Sequence, residues 1–380
     1  MKNLIFIIVL LIALSACQNT EKQPKVNGHS NATKLKVAVF NGLGTGPISV
    51  LETLEALRID TGIFIQTISA AEIQSGKLDE FDALILPGGS GSKELNNLGK
   101  VGKAIINKFI REDGKGIVGI CAGGYLLSST SDYPSLDIAS SEHLDKTHYD
   151  RGHGLIEFSL TKTGYLIFPE LEGFKTFAQY YDGPVLGRIN PKKGYYQEVA
   201  TYVTDIHSDN KAPIGITPGR TFMLNEKVGN GRVFISAGHP EFTPGMRWMV
   251  PRMVRWVCNS SLVSYNTKWV HPEINDSAII FTNQLAKHEK QLFWKLFSDS
   301  SEVQINAMIL LYEIRSHSAA RWYIGMLRDT NPKTRKQAAI LLKKMEYTYA
   351  LSDLEQASKL EKNEETKESI NESINFLKTF

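Results

Sequence analysis

The sequence predicts an α/β protein, a mostly parallel sheet with helices on both faces, followed by an all-α domain. Between residues 35 and 120, short and almost wholly apolar runs alternate with helix-period stretches. That is the pattern of strands buried on both faces and joined by crossover helices. Beyond Pro272 the strand pattern stops and helical periodicity takes over. The chain has 380 residues, 42% hydrophobic and 22% charged, enough for two or three domains with proper cores and no disulfide staples. Its 43 basic and 40 acidic side chains leave a net charge of +3, with no Lys/Arg block. A nucleic-acid surface needs a basic face to displace counterions, so nucleic acid is not an expected partner.

The N-terminus comes first. Lys2 precedes an unbroken apolar run from Leu4 to Leu14, then Leu14-Ser15-Ala16-Cys17, after which the chain turns polar. The run is shorter than the ~20 residues needed to span a bilayer and reads as a signal peptide. Small residues before a cysteine resemble the lipobox of bacterial lipoproteins, which implies that residues 1–17 are the signal and lipobox and that Cys17 is acylated as a membrane anchor. Gln18 follows where Asp would, by the same resemblance, retain a Gram-negative lipoprotein at the inner membrane. The expected location is therefore outside the cytoplasm, at the outer membrane if the organism is Gram-negative. Residues 18–34 are polar and aperiodic, a flexible tether.

The body follows as strand (35–40), Gly-containing turn (41–47), helix (48–57), strand (63–68), strand (81–86) ending in Pro87-Gly88-Gly89, helix (101–112) and strand (116–120). The glycines of Gly42-Leu43-Gly44-Thr45-Gly46 do not have dinucleotide-binding spacing, so the loop reads as a tight strand-to-helix turn. Short strands are expected at 154–160, 183–188, 199–206, 212–217 and 231–236, then a helix over 248–257 in which Trp248, Met249, Met253 and Trp256 pack on the sheet. The domains are thus 35–260 for the α/β body, 261–285 for a linker and 286–380 for the helical part.

The chemistry gathers at strand ends. Gly119-Ile120-Cys121-Ala122-Gly123-Gly124 has the form of a nucleophile elbow, a sharp strand-to-helix turn that presents the side chain from a strained backbone. The helix N-terminus behind it favours thiolate. Gly238-His239-Pro240-Glu241 follows another strand, placing an imidazole to take the thiol proton and a carboxylate two positions on to orient it. Gly88, Gly89 and Ala122 offer backbone N–H groups for an oxyanion. With Cys17 acylated, only Cys121 and Cys258 remain. A bridge between them is conceivable, but the elbow argues for a free Cys121 and leaves Cys258 as a buried small hydrophobe.

Together these motifs resemble the class I glutamine amidotransferase superfamily. Leu86-Pro87-Gly88-Gly89, the run Gly119–Tyr125 and Tyr180-Tyr181-Asp182-Gly183-Pro184 narrow the resemblance to the biotin–protein ligase N-terminal domain family, over about residues 35–258. The resemblance implies a flavodoxin-like sheet and a triad of Cys121 as nucleophile, His239 as base and then acid, and Glu241 as orienter. It also implies Gly89 and Ala122 as oxyanion donors, with Tyr181 and Asp182 bordering a pocket for a small-molecule or peptide amide. No synthetase, ATP-binding or biotin ligase catalytic domain follows, so a stand-alone hydrolase of amide or γ-glutamyl bonds is expected. The alternative is a non-catalytic binding module. No cofactor or metal is called for: His143, His148 and His153 share no face of a helix or strand.

In the helical part Ala307, Leu310, Leu311 and Ile314 recur as Ala338, Leu341, Leu342 and Met345, an offset of 31, and more weakly as Ile370, Ser373, Ile374 and Leu377. This resembles HEAT or armadillo-type helical pairs, which commonly offer a surface to another protein. A plain helical bundle is the other reading.

Overall fold

The computed structural model describes residues 34–190 and 194–379. Cys17 and the signal and tether segments lie outside these residues. Four strands open the fold: β1 (Leu35–Phe40), β2 (Ile63–Ile68), β3 (Ala83–Leu86) and β4 (Gly116–Ile120). Eight more follow: β5 (Glu142–His143), β6 (His153–Leu160), β7 (Thr176–Tyr181), β8 (Leu186–Gly187), β9 (Gln197–Tyr202), β10 (Thr221–Val228), β11 (Gly231–Ser236) and β12 (Ile279–Ile280). The first helices are α1 (Pro47–Leu57), α2 (Ala70–Gln74), α3 (Gly91–Arg111), α4 (Ala122–Leu127), α5 (Lys162–Ile167) and α6 (Met249–Val257).

β2, β1, β3, β4 and β11 lie side by side in that order, all parallel. This is the 2-1-3-4-5 order of a flavodoxin-like sheet, with ligands expected at the carboxyl ends of its strands. Beyond β11 the sheet continues antiparallel through β10, β9 and β6, and β7 and β12 pair with β6. Alternation along the parallel strands feeds two cores. Val37, Val39, Ile85, Val118 and Phe234 pack on one face with Val50 of α1 and Met249 and Met253 of α6. Ala38, Phe40, Leu84, Ile117 and Ile235 pack on the other with Ile106 and Phe109 of α3 and Leu126 of α4.

Two sequence expectations need correction. The strand expected over 183–188 shrinks to β8, and 212–217 is irregular, because Pro213 and Pro218 remove ladder donors and Gly215 sits at φ 83. β7 and β10 were not anticipated, since both carry polar residues, such as Gln179 and Asn225, that the fold nevertheless buries.

The C-terminal region is helical: α7 (Asn283–Lys295), α8 (Ser301–Glu313), α9 (Ala319–Met326), α10 (Pro332–Lys344), α11 (Leu351–Leu360) and α12 (Glu364–Leu377). Side chains of Thr282, Asn331 and Asn363 cap α7, α10 and α12 by accepting orphan backbone N–H groups. The recurring apolar positions fall on α8, α10 and α12, where Ala307, Leu311, Ala338, Leu342, Ile370 and Ile374 share one core. Buried polar contacts join this region to the α/β part. Glu346 accepts the Gly245 N–H at 2.9 Å through its carboxylate and Arg247 Nη1 at 2.7 Å through its carbonyl. Arg247 Nη2 also pairs with Glu52 at 2.5 Å. No helix among the described residues is long and apolar enough to cross a membrane.

Candidate active site

Cys121 closes β4 and precedes α4 with φ 51 and ψ −102, a conformation costly for any side chain. The reversal depends on bare neighbours: a Cβ at Gly123 would lie 2.1 Å from the Leu86 carbonyl oxygen, and one at Gly119 2.7 Å from that of Gly123. The elbow is thus present, but its thiol is not laid open at the sheet edge as the sequence suggested, because Cys121 is only 6% exposed. Its Sγ lies 3.3 Å from the Tyr181 carbonyl oxygen, to which the thiol can donate. Tyr181 is presented by a turn in which Asp182 has φ 49. Asp182 Oδ1 accepts from the Gly152 N–H at 2.9 Å, and its carbonyl accepts from Tyr125 Oη at 2.9 Å.

His239 and Glu241 follow β11 on a short 3₁₀ turn, both buried. The backbone N–H of His239 donates to the Gln179 carbonyl at 2.7 Å, fixing the ring. Nδ1 lies 2.8 Å from Glu241 Oε1, and the imidazole is near enough to Cys121 for the charge of its sulfur to act on it. Burial by itself would push the imidazole down. The charges of Cys121 and Glu241, and the hydrogen bond to Glu241, outweigh it and raise His239 to about 10. Cysteine, histidine and glutamate, called from separate stretches, therefore meet in one connected group.

The glycine loop sits against it. A Cβ on Gly88 would come 2.6 Å from His239 Cε1, so no larger residue fits. The Gly88 N–H is already engaged, donating to Ser49 Oγ at 2.8 Å. Ser49 Oγ in turn donates to Glu241 Oε1 at 3.2 Å. Gly89 stands at φ 156 beside it. Ala122 is the first residue of α4, where the N–H has no acceptor within the helix.

Several side chains here carried no sequence signal. Phe242 stacks on His239 with centroids 4.5 Å apart and planes 3° apart, and on its far face stacks on His317 at 4.6 Å. Tyr125, Tyr133, His143 and Tyr149 form an aromatic group at one side of the elbow, with Tyr125 and His143 edge to face at 4.6 Å. Burial and the nearby Arg151 charge hold His143 down at about 4. Glu94 on α3 is fully buried, neither carboxylate oxygen has a partner, and burial pushes it up to about 8. Cys121 and Cys258 are both free thiols, and burial pushes Cys258 up to about 12. His148 and His153 are separated, His148 pairing with Asp145 and His153 stacking between Tyr181 and Phe281. Among the described residues no group of three or more His, Cys, Asp or Glu could hold a metal ion.

No curated protein matches the sequence significantly. Solved structures that overlap the chain include a glutamine amidotransferase, at 18% identity and a TM-score of 0.40, covering 59% of this chain and 98% of that one. A ThuA-like protein from Parabacteroides merdae overlaps at 11% identity and a TM-score of 0.41, covering 63% and 99%. A β-galactosidase from Rahnella sp. overlaps at 15% identity and a TM-score of 0.38, covering 60% and 32%. The fold described above rests on strand order and not on these overlaps. Residues 35–144 match the family described as biotin-protein ligase, N terminal, a span holding Gly88, Gly89, Cys121 and Ala122 but ending before Tyr181, Asp182, His239 and Glu241. Over that span the chain is similar to the N-terminal region of biotin–protein ligases, carried on a flavodoxin-like α/β sheet.

Proposed function

We propose that this chain is a lipid-anchored cysteine hydrolase that cleaves an amide or γ-glutamyl-type bond by acyl transfer. The observation that carries the reading is that Cys121, His239 and Glu241 come together, with a 2.8 Å imidazole–carboxylate contact and the charge of Cys121 acting on the imidazole. In the first step Cys121 attacks the carbonyl carbon as thiolate, its proton already held by His239, whose imidazole is kept protonated by the Cys121 and Glu241 charges. The Gly89 and Ala122 N–H groups receive the oxyanion, and Gly88 serves the site through its contact with Ser49. The C–N bond then breaks as His239 protonates the departing nitrogen, and water attacks the thioester to release acid and free thiol. Tyr181 and Asp182 border the acyl group. Acylation at Cys17 would hold the enzyme at a membrane outside the cytoplasm, the outer membrane in a Gram-negative cell. The 31-residue recurrence supports HEAT-like pairing of the C-terminal helices and a protein partner on them.

The deciding experiment compares alkylation of Cys121 and Cys258 by iodoacetamide at neutral pH, together with a screen of carboxamides and γ-glutamyl compounds. Cys121 should react at least tenfold faster than Cys258, the advantage should vanish in His239→Ala, and turnover should vanish in Cys121→Ala. Equal alkylation rates in the folded protein would overturn the reading. The alternative, a non-catalytic binding module, draws support from Trp294, Phe297 and Trp322, which are exposed together on the helical region. It requires that Cys121→Ser leave the biological phenotype intact.

A further inference from the structure

The tryptophans divide into two groups. Trp248, Trp256 and Trp269 are buried or half-buried, whereas Trp294 on α7 and Trp322 on α9 are 69% and 42% exposed. Phe297, exposed as well, joins the second group: its ring centroid lies 6.0 Å from that of Trp294 and 5.7 Å from that of Trp322. Three large rings thus touch one another and face solvent. Apolar side chains exposed singly need no explanation, but a contiguous aromatic cluster marks a contact with a protein or a membrane.

Charge separates the two cases. Lys287 and Lys290 precede Trp294 on α7 by seven and four residues, and both are exposed. The spacing 287, 290, 294, 297 keeps to one face of a helix with 3.6 residues per turn. Neither lysine has an acidic partner among the described residues. Glu289, the one acid of α7, is engaged instead by the hydroxyls of Ser316 and Ser318. Asp299 and Glu302 lie beyond the end of the helix. Read along its length, the face is two uncompensated cations and then the rings. The cores of protein interfaces favour arginine beside such rings and are depleted in lysine, and α7 carries no arginine. Lysines with long apolar stems beside tryptophan and phenylalanine are instead the composition of a surface seated among lipid headgroups.

We propose that this face of α7 and α9 lies in the headgroup layer of an anionic membrane, with Trp294, Phe297 and Trp322 at the acyl boundary and Lys287 and Lys290 on lipid phosphates. The proposal rests on the reading of Cys17 as an acylated anchor, which supplies the membrane, and not on the hydrolase chemistry. Sixteen residues separate Cys17 from Lys34, a length that spans at most ~55 Å when fully extended. An anchor at the end of such a segment holds the folded part near a bilayer without choosing the side it presents. The aromatic face is the second contact, the one that sets orientation.

The test uses the full chain, reconstituted from detergent on vesicles of phosphatidylcholine and phosphatidylglycerol whose acyl chains carry bromine. Bromine quenches only tryptophans that reach it, so attachment through the N-terminus alone leaves the signal unchanged. Tryptophan fluorescence of the wild type should fall by at least a quarter relative to unbrominated vesicles. The fall should be absent in the double variant Trp294→Phe, Trp322→Phe, which keeps the aromatic face but lacks the two reporters. It should shrink at least threefold in Lys287→Glu, Lys290→Glu, which keeps the reporters, and on vesicles of phosphatidylcholine alone. No quenching in the wild type, quenching that persists without the two indoles, or quenching untouched by charge reversal would overturn the proposal. A dimer formed without lipid, in which α7 and α9 lose hydrogen exchange, would overturn it too by giving the face to a second copy. Mass spectrometry of the N-terminal peptide reads Cys17 separately: an unmodified thiol there would remove the anchor, while quenching on added vesicles would still decide the face.

Discussion

The ring of Phe242 is sandwiched between His239 and His317, a histidine at the end of β11 and one of the helical region, with centroids 4.5 and 4.6 Å away. His317 also approaches Glu52 of α1 at 3.4 Å. The helical region therefore reaches to within one ring of the candidate base. Stacked ring pairs contribute ~0.5–1.5 kcal/mol each beyond burial. Phe242→Leu, which keeps an apolar plug and removes both stacks, should lower stability by about 1–3 kcal/mol in urea unfolding. It should also slow alkylation of Cys121 in the folded protein.

Ser49 is the hinge of the contact between the glycine loop and Glu241. Ser49→Ala would strip the buried Gly88 N–H of its acceptor and Glu241 of a donor, at a cost of about 1–3 kcal/mol. Alkylation of Cys121 should slow at pH 7 while remaining unchanged in the urea-unfolded chain. Unaltered folded-state kinetics would remove Ser49 from the site.

Glu94 gives a stability dependence of definite sign. Burial raises its carboxyl from 4.5 to about 8, so between those values the native state holds a proton that the unfolded chain has released. Stability then falls as pH rises from about 4.5 to about 8 and levels off above. Glu94→Gln should flatten that slope and raise stability at pH 8.5 by a few kcal/mol, on the order of 1.4 per unit of displacement. Thermal melts of the two proteins across this range check it.

His239 has a dependence of the same sign, set at higher pH. Its imidazole is raised above its ordinary 6.5, so its contribution is complete below about 6.5 and is lost as pH climbs toward about 10. His239→Gln should remove that alkaline loss. A wild-type protein whose stability, compared with this variant, does not decline between pH 7 and 10 would contradict the pairing with Cys121 and Glu241.

Arg247 binds three structural parts at once, pairing with Glu52 of α1 and donating to Glu346 at the end of α10. Breaking a buried pair by removing one partner costs roughly 3–5 kcal/mol. Arg247→Met should therefore destabilise strongly, and hydrogen exchange should show helices α7 to α12 losing protection before the parallel strands.

What could be read from the sequence was local. Cys121 was legible because a strand, an elbow and small neighbours follow one another in six residues, and His239 and Glu241 because they close a strand two positions apart. The parallel strands were legible because burial on both faces makes them apolar throughout. Ser49 and Phe242 were not: their partners lie 192 residues away in one case and on the C-terminal helical region in the other, and neither type of residue is unusual where it stands. β7 escaped notice for a related reason. Gln179 is polar within a buried strand, and only the folded chain shows that its nitrogen meets the Arg315 carbonyl.

The backbone at Cys121, with φ 51 and ψ −102, is one that glycine adopts freely and other residues adopt at a cost of ~1–3 kcal/mol. At an ordinary buried site, glycine is a worse replacement than alanine. Here the ranking should invert, so Cys121→Gly ought to melt higher than Cys121→Ala, although both lack the sulfur. A library sorted for heat resistance alone would drift toward glycine at this one position and silence the thiol as it did so.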